Sequence, residues 1–350
     1  MPFGPAQENH EELYFKTALE MKDALFDGKT EKACLSATGE RRRRNSMKDL
    51  YPMHGIITTV LTPFCPEDKQ IDWESFRRQI QTALKAGVAG YLVPCNASEI
   101  KELSWEERKQ LVAEAVAIVG GKALVIPSVN ADSVEECEKQ CREYLDLHVD
   151  GININIPYTT NEAYLEVVQR LDKLNPPFIC LQDYSLEGDG LPDELLVRCF
   201  EEVPSVRCAK IEVQNSGPKY TRILEKTGGR MNVSGAWGSA QSIEAYDRGI
   251  HAMMPSGLYE LFVNVYRLYH EKDREAAKKL FYAMLPIISF TRQNPSLNLY
   301  FHKLYLNRIG VFASTTMRQE YLFDEYHMCY ADTLINYAIN LRDSIPEYWK

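Results

Sequence analysis

The feature that most constrains this chain is a regular alternation of short apolar runs and longer helical patterns, which begins at Gly55. Eight runs are rich in β-branched residues and start roughly 20 to 35 residues apart: 56–61, 91–93, 123–129, 152–156, 178–181, 206–211, 231–233 and 250–254. Strands that are apolar almost throughout are typical of a parallel sheet covered by helices. Eight strand–helix units also close a barrel of about 250 residues. We therefore predict an α/β fold, a (β/α)8 TIM barrel.

Helical patterns separate the runs, and several have clear start signals. Asp72 precedes one pattern, and Ser104 opens a capping box with Glu107. A doubly wound open sheet is the competing fold, but no glycine fingerprint follows the first run. The predicted helices cover residues 73–86, 105–119, 133–147, 162–174, 193–202, 219–226, 240–248 and 258–270.

The chain divides into three predicted parts. Residues 1–51 form an N-terminal extension with an amphipathic helix over 11–26 and an arginine run at 41–44. That run is either a solvated linker, a nuclear-import signal, a kinase recognition site or an anionic docking patch. Residues 52–272 form the barrel. Residues 273–350 form a C-terminal helical region, with helices over 273–289, 296–309 and 317–342 that should pack on the barrel or on another subunit.

Composition excludes several classes of function. The net charge of −9 argues against a general nucleic-acid binder. No apolar run reaches the roughly 18 residues of a membrane span, and residues 1–7 lack a signal segment. The nine cysteines are scattered and lack a histidine set that would complete a zinc site. We expect a cytoplasmic protein with no metal or other cofactor.

Lys210 is the residue with the most chemical interest, because it ends an apolar run. Lysine is almost never fully buried without a partner. A desolvated amine can attack a carbonyl and form a Schiff base, whereas a structural lysine would reach water past the strand end. Other polar residues follow neighbouring runs, and the ends of barrel strands are where active sites form.

Several segments, in order, make the chain resemble the pyruvate-dependent class I aldolases that include dihydrodipicolinate synthase and N-acetylneuraminate lyase. The matching segments are residues 61–64 with 71–72, 98–99 with 103 and 106–108, 150–151 with 157–158, and 210–212 with Gly235 and Gly249. The resemblance covers about residues 52 to 345. It implies that Lys210 is the Schiff-base lysine and that the protein is a homodimer or homotetramer.

The chain also departs from the pattern of the synthase and the lyase. Their strand-five tyrosine aligns with Leu181 or Gln182, and Tyr184 lies two or three residues later. The second tyrosine after strand four is replaced by Thr159, and no arginine occurs in the loop 185–190. We therefore predict a divergent member that is not dihydrodipicolinate synthase itself.

We predict a Schiff-base lyase or aldolase that acts on a small 2-oxo acid by C–C cleavage, C–C formation or dehydration. The alternative is an inactive barrel with a binding or regulatory role. Tyr184 is either a general acid/base or a packing residue, and Glu212 either moves protons or is a simple ion-pair partner. The predicted substrate-binding residues are Asn96, Ala97, Ser98, Thr62, Gly235 and Trp237.

Overall fold

The computed structural model describes residues 51–319, 321 and 323–346. The predicted helix over 11–26 and the arginine run at 41–44 lie outside these residues. Nine parallel strands make one sheet with the order β3-β2-β1-β9-β8-β7-β6-β5-β4. The strands are β1 Gly55–Thr59, β2 Gly90–Leu92, β3 Leu124–Ile126, β4 Ser128–Val129, β5 Ile152–Ile154, β6 Ile179–Tyr184, β7 Val206–Glu212, β8 Asn232–Gly235 and β9 Ala252–Met253.

The ninth strand arises because one predicted run is divided. Pro127 separates β3 from β4, since proline has no N–H to donate to a strand ladder. The two pieces are consecutive in the chain and lie at the two ends of the strand order. The Pro127 carbonyl still accepts a hydrogen bond from Asn153 N at 2.9 Å. The sheet is therefore a (β/α)8 TIM barrel, as the sequence predicts.

Eleven α-helices surround or extend the barrel within the described residues. They are α1 Trp73–Ala86, α2 Trp105–Val119, α3 Val134–Leu145, α4 Asn161–Asp172, α5 Asp193–Glu202, α6 Ser216–Lys226, α7 Ser242–Asp247, α8 Tyr259–Arg267, α9 Arg274–Thr291, α10 Pro295–Arg308 and α11 Glu325–Asp343. Helices α1, α2 and α5 have the predicted bounds. Asp72 caps α1 by accepting from Ser75 N at 3.0 Å, and the predicted Ser104–Glu107 box caps α2.

The prediction for the last helix is wrong at its start. The sequence pattern places the start at Met317, but α11 begins at Glu325. The backbone N–H groups of Arg318 and Gln319 each donate to Glu99 Oε2 at 2.9 Å instead of entering a helix. A buried carboxylate more than 200 residues away therefore takes the donors of a predicted first turn.

The core lies both inside the barrel and between the sheet and its helices. Ile57, Ile126 and Cys208 belong to the inner cluster, whereas Val125, Ile211 and Val233 belong to the outer one. Successive strand residues thus alternate between the two layers. Within the described residues, no helix has both the length and the apolar character needed to cross a membrane.

Candidate functional site

Lys210 lies in β7 with its side chain inside the barrel. In the sheet register it stands between Gln182 of β6 and Ser234 of β8. The residue is 3% exposed, and its Nζ lies 2.9 Å from Glu212 Oε2. The two side chains meet because residues i and i+2 of a strand share one face. Lys210 is therefore a buried amine with a carboxylate in direct contact.

A chain of side-chain hydrogen bonds orients that carboxylate. Asn153 Nδ2 donates to Ser128 Oγ at 3.0 Å and to Gln182 Oε1 at 2.8 Å. Because Gln182 Oε1 is the acceptor, its amide nitrogen points the other way and donates to Glu212 Oε2 at 3.0 Å. The four side chains lie on the neighbouring strands β4 to β7 and hold the Glu212 oxygen that contacts Lys210.

A cavity of about 660 Å³ opens beside Lys210. Six of the nine predicted site residues line it: Lys210, Tyr184, Glu212, Asn96, Ala97 and Trp237. Thr59 and Ser256 add hydroxyl groups, with their side-chain oxygens 2.5 Å apart. The cavity lies at the carboxyl ends of the strands, where barrels of this kind carry their sites.

The structure does not bring three predicted residues to the cavity wall. Thr62 is buried and donates to the Ser98 carbonyl at 2.8 Å, so Thr59 takes the predicted place at the end of β1. The Ser98 hydroxyl accepts from Cys95 N at 3.0 Å and donates to the Val60 carbonyl, which leaves it no role toward a ligand.

Gly235 is the third predicted site residue that lies away from the cavity wall. It lacks a side chain for a packing reason, because a Cβ there would lie 2.8 Å from the Tyr220 hydroxyl and 2.9 Å from Met253. The close approach that its missing side chain allows is thus between the sheet and its covering helix, and Gly235 does not line the cavity.

The loop after β2 contains a strained residue at a position that the sequence does not predict. Glu99 has the left-handed conformation there, with φ 55°. Glu99 is held by a buried ion pair with Lys303 of α10, at 2.5 Å, and both side chains are 0% exposed. Burial lowers the pKa of Lys303 to about 8. This pair fixes the C-terminal helices to the loop that contains Asn96 and Ala97.

A second buried ion pair supports the loop after β6. Lys219 of α6 lies 2.6 Å from Asp183, and both side chains are fully buried. Lys219 also donates to the carbonyls of Asp189 and of Leu191, the latter at 2.6 Å. Burial is the main reason that the pKa of Asp183 is raised. The pair anchors the loop that follows Tyr184.

Tyr184 stands at the mouth of the cavity, opposite Glu212 in the β6–β7 register. The residue is 38% exposed. Burial of part of the ring, followed by the charge of Glu212, raises the pKa of its phenol. Tyr184 is therefore a neutral phenol at pH 7, able to donate a proton.

The far wall of the cavity comes from the connection between α9 and α10 and from the start of α10, and none of its residues is among the predicted site residues. Arg292, Gln293, Asn294, Asn298 and Leu299 all line it. The guanidinium of Arg292 lies 4.7 Å from the centroid of the Trp237 ring. A polar stretch between two apolar helices was the available signal, but its position over the barrel mouth depends on tertiary packing.

His251 lies at the end of the β8–β9 connection and is half-buried. Its Nδ1 accepts from Val233 N at 3.1 Å, and its ring lies against the Tyr51 ring at a tilt of 33°, with the centroids 3.9 Å apart. Burial lowers its pKa to about 4. Among the described residues, no group of three or more histidine, cysteine, aspartate and glutamate side chains could hold a metal ion.

Comparisons with known proteins agree with this fold. The model of the dihydrodipicolinate synthetase family matches residues 52–174. The 4-hydroxy-tetrahydrodipicolinate synthase of Leptospira biflexa is 27% identical over 262 residues, which cover 69% of this chain and 83% of that protein. The barrel is similar to solved dihydrodipicolinate synthases.

The synthase of Methylacidiphilum fumariolicum superposes with a TM-score of 0.77 at 18% identity, over 85% of this chain and 99% of that one. The Rhodopseudomonas palustris enzyme has a TM-score of 0.74 at 20% identity, over 83% of this chain and 97% of that one. With these matches, the chain is similar to the dihydrodipicolinate synthetase family in sequence over residues 52–174 and to solved dihydrodipicolinate synthases in fold.

Proposed function

We propose that this protein is a class I lyase in which Lys210 forms a Schiff base with a 2-oxo acid. The observation that supports this most directly is a buried amine that both contacts a carboxylate and faces a cavity of about 660 Å³. A purely structural ion pair would need no such space beside the amine. A nucleophilic lysine needs both a nearby base and room for the carbonyl carbon.

The first chemical step uses the contact between Lys210 and Glu212. Glu212 takes a proton from the ammonium, and the neutral nitrogen then adds to the ketone carbon. The ketone oxygen leaves as water, with one proton from the nitrogen and one from a neighbouring acid, and a cationic imine remains. Gln182 holds Glu212 at 3.0 Å, so the carboxylate that moves these protons stays in place.

The imine then acts as an electron sink. The C3–C4 bond of the bound acid breaks with its electrons flowing toward the imine carbon C2, while the C4 hydroxyl gives up its proton and C4 leaves as the carbonyl carbon of the released fragment. An enamine remains, and the reverse flow makes the bond. Tyr184 is suited to protonate the enamine, since its phenol is neutral and lies at the same cavity. Backbone N–H groups of Asn96 and Ala97, at the start of a short helix, are suited to bind the carboxylate of the 2-oxo acid.

We further propose that the reaction differs from that of dihydrodipicolinate synthase. The cavity face of β6 carries Gln182, whose amide is already occupied by Asn153 and Glu212. No hydroxyl is therefore supplied from that position of the strand, and Tyr184 lies farther out at the mouth. This favours simple cleavage or addition on a 2-oxo acid.

A homodimer or homotetramer is part of the same proposal. Helices α9 and α11 pack on each other and expose large apolar side chains, namely Tyr282, Leu285, Tyr326, Met328 and Tyr330. Such an exposed group favours contact with a second copy. Light scattering on the purified full chain tests it, and a monomer at micromolar concentration would contradict it.

Borohydride trapping with pyruvate tests the Schiff base. The wild-type chain should gain a reduced covalent adduct by mass spectrometry, and peptide mapping should locate it at Lys210. Lys210→Ala should show none, whereas Lys226→Ala, which removes an exposed lysine of α6, should be labelled normally. An adduct that persists in Lys210→Ala, or no adduct with any 2-oxo acid, would contradict the proposal.

A further inference from the structure

The cavity contains a cation that makes no ion pair with any of the described residues. Three charged side chains line it, Lys210, Glu212 and Arg292. Lys210 and Glu212 neutralise each other at 2.9 Å. Within the described residues, the guanidinium of Arg292 makes no hydrogen bond and no ion pair, and it lies 4.7 Å from the centroid of the Trp237 ring. The lining of the cavity is therefore one charge positive.

Arg292 is also held in a fixed orientation. Its guanidinium lies over Trp237 at 4.7 Å. Its aliphatic stem packs on Gly238, where a Cβ would lie 3.1 Å from Arg292 Cγ. Burial lowers the pKa of this guanidinium, which still stays charged at neutral pH. An arginine that is half-buried and prepositioned, yet lacks an acceptor, leaves five donors for a ligand.

The neighbours of Arg292 are suited to a polar ligand end. Gln293, Asn294 and Asn298 lie in the same wall, and Gln214 faces the cavity from the loop after β7. Cavities of about 300–1,000 Å³ accommodate drug-sized ligands, so about 660 Å³ is more than a three-carbon acid occupies. The space beyond the reacting end is lined by a cation and amides.

We propose that Arg292 binds a second, terminal anionic group of the substrate, so that the natural substrate is a 2-oxo acid with an acidic far end. This inference rests on the proposed function, because it takes the reacting end to lie at Lys210. The anion is a carboxylate or a phosphate, both of which match the planar fork of a guanidinium in a bidentate geometry. Arg292 then selects the substrate and takes no part in bond making.

The test compares ligands of matched length in two assays, borohydride trapping and thermal unfolding of the full chain. The probes are 2-oxoglutarate, 3-phosphohydroxypyruvate and the uncharged-tail analogue 2-oxopentanoate. A charge-assisted pair of this kind should make the half-saturating concentration of an acidic-tail probe about 10- to 100-fold lower than that of 2-oxopentanoate. The stronger of the two acidic probes identifies the anion.

Arg292→Gln should abolish that preference while pyruvate is still trapped at Lys210, and Arg292→Lys should retain part of it. Arg230→Gln, which changes an arginine 57% exposed to solvent, is the matched control and should leave the preference unchanged. An equal response to acidic and neutral tails in the wild-type chain, or a preference that survives in Arg292→Gln, overturns the inference.

The two proposals fail in different ways. If no probe is trapped, the Schiff-base proposal fails, and the thermal shifts still decide whether Arg292 binds an anion. If pyruvate is trapped but tail charge has no effect, only the role of Arg292 fails. Should Arg292→Gln not fold, the ligand series on the wild-type chain and on Arg292→Lys gives the same decision.

Discussion

Lys219→Met should cost the protein much of its stability, because it removes the ammonium from a pair that water does not reach. Lys219 Nζ lies 2.6 Å from Asp183 Oδ2, and the two side chains are 1% and 0% exposed. The same nitrogen donates to two loop carbonyls. Breaking a buried pair by removing one partner costs about 3–5 kcal/mol, because an uncompensated charge remains.

In the Lys219→Met variant, Asp183 can instead become protonated, and this limits the loss of folding stability. An ordinary aspartate has a pKa near 3.9, so neutralising it at pH 7 costs about 1.4 kcal/mol per pH unit, or about 4 kcal/mol. Burial already raises the pKa of Asp183 in the wild-type chain, and loss of Lys219 raises it further. A carboxyl whose folded pKa is raised binds its proton more tightly in the folded state. The cost of the substitution therefore shrinks as pH falls from 7 toward 4.

Urea unfolding followed by circular dichroism, at pH 7 and pH 5, measures both effects. Arg222→Gln is the matched control, since it breaks an ion pair on the same helix whose arginine is 41% exposed and should cost less than about 1 kcal/mol. Asp183→Asn combined with Lys219→Met should recover part of the loss, because no buried charge remains. The reasoning is refuted if Lys219→Met costs no more than Arg222→Gln, or costs the same at both pH values.

Three further substitutions test other parts of the structure. Gly190→Ala should cost at least about 1–3 kcal/mol in urea unfolding, because Gly190 has φ +70° and a Cβ would lie 2.1 Å from Asp183 Oδ1; a change of a few tenths would contradict this. Lys303→Met should cost about 3–5 kcal/mol by leaving Glu99 buried and unpaired, and a combined Glu99→Gln change should recover part of it. His251 has a folded pKa of about 4, below its ordinary 6.5, so the unfolded state binds more protons between these values and wild-type stability falls as pH drops through that window. His251→Phe should lose less stability than the wild-type chain between pH 6.5 and 4, and parallel pH profiles would rule out this role.

Sequence signals such as helix caps correctly predict the elements whose ends depend on residues nearby in the chain. Helix α2 has its predicted bounds because Ser104 and Glu107 satisfy its first N–H groups from within the same turn. The meeting of Lys210 and Glu212 likewise follows from the two-residue period of a strand. The apolar pattern alone does not predict that the third run divides into β3 and β4. Pro127 interrupts the hydrogen bonds between strands but leaves the run of apolar residues continuous.

Residues that act through distant partners are those that the sequence interpretation misplaced. The predicted start of the last helix at Met317 is wrong because Glu99 accepts the N–H groups of Arg318 and Gln319. Thr62 was expected at the site from its place after a strand, but a single hydrogen bond to the Ser98 carbonyl turns it inward. Neither contact can be predicted from the residues that neighbour it in the sequence.

The amino-acid sequence alone determined the eightfold alternation, the barrel that it closes, and the pairing of Lys210 with Glu212 on one strand face. Such features arise from periodicity and caps that span a few residues. Tertiary packing alone decided that Lys303 neutralises Glu99 across 204 residues, and that Arg292 comes to face the same cavity as Lys210. A buried or cavity-facing charge is satisfied by whichever groups the folded chain brings near it, and no local spacing encodes that choice.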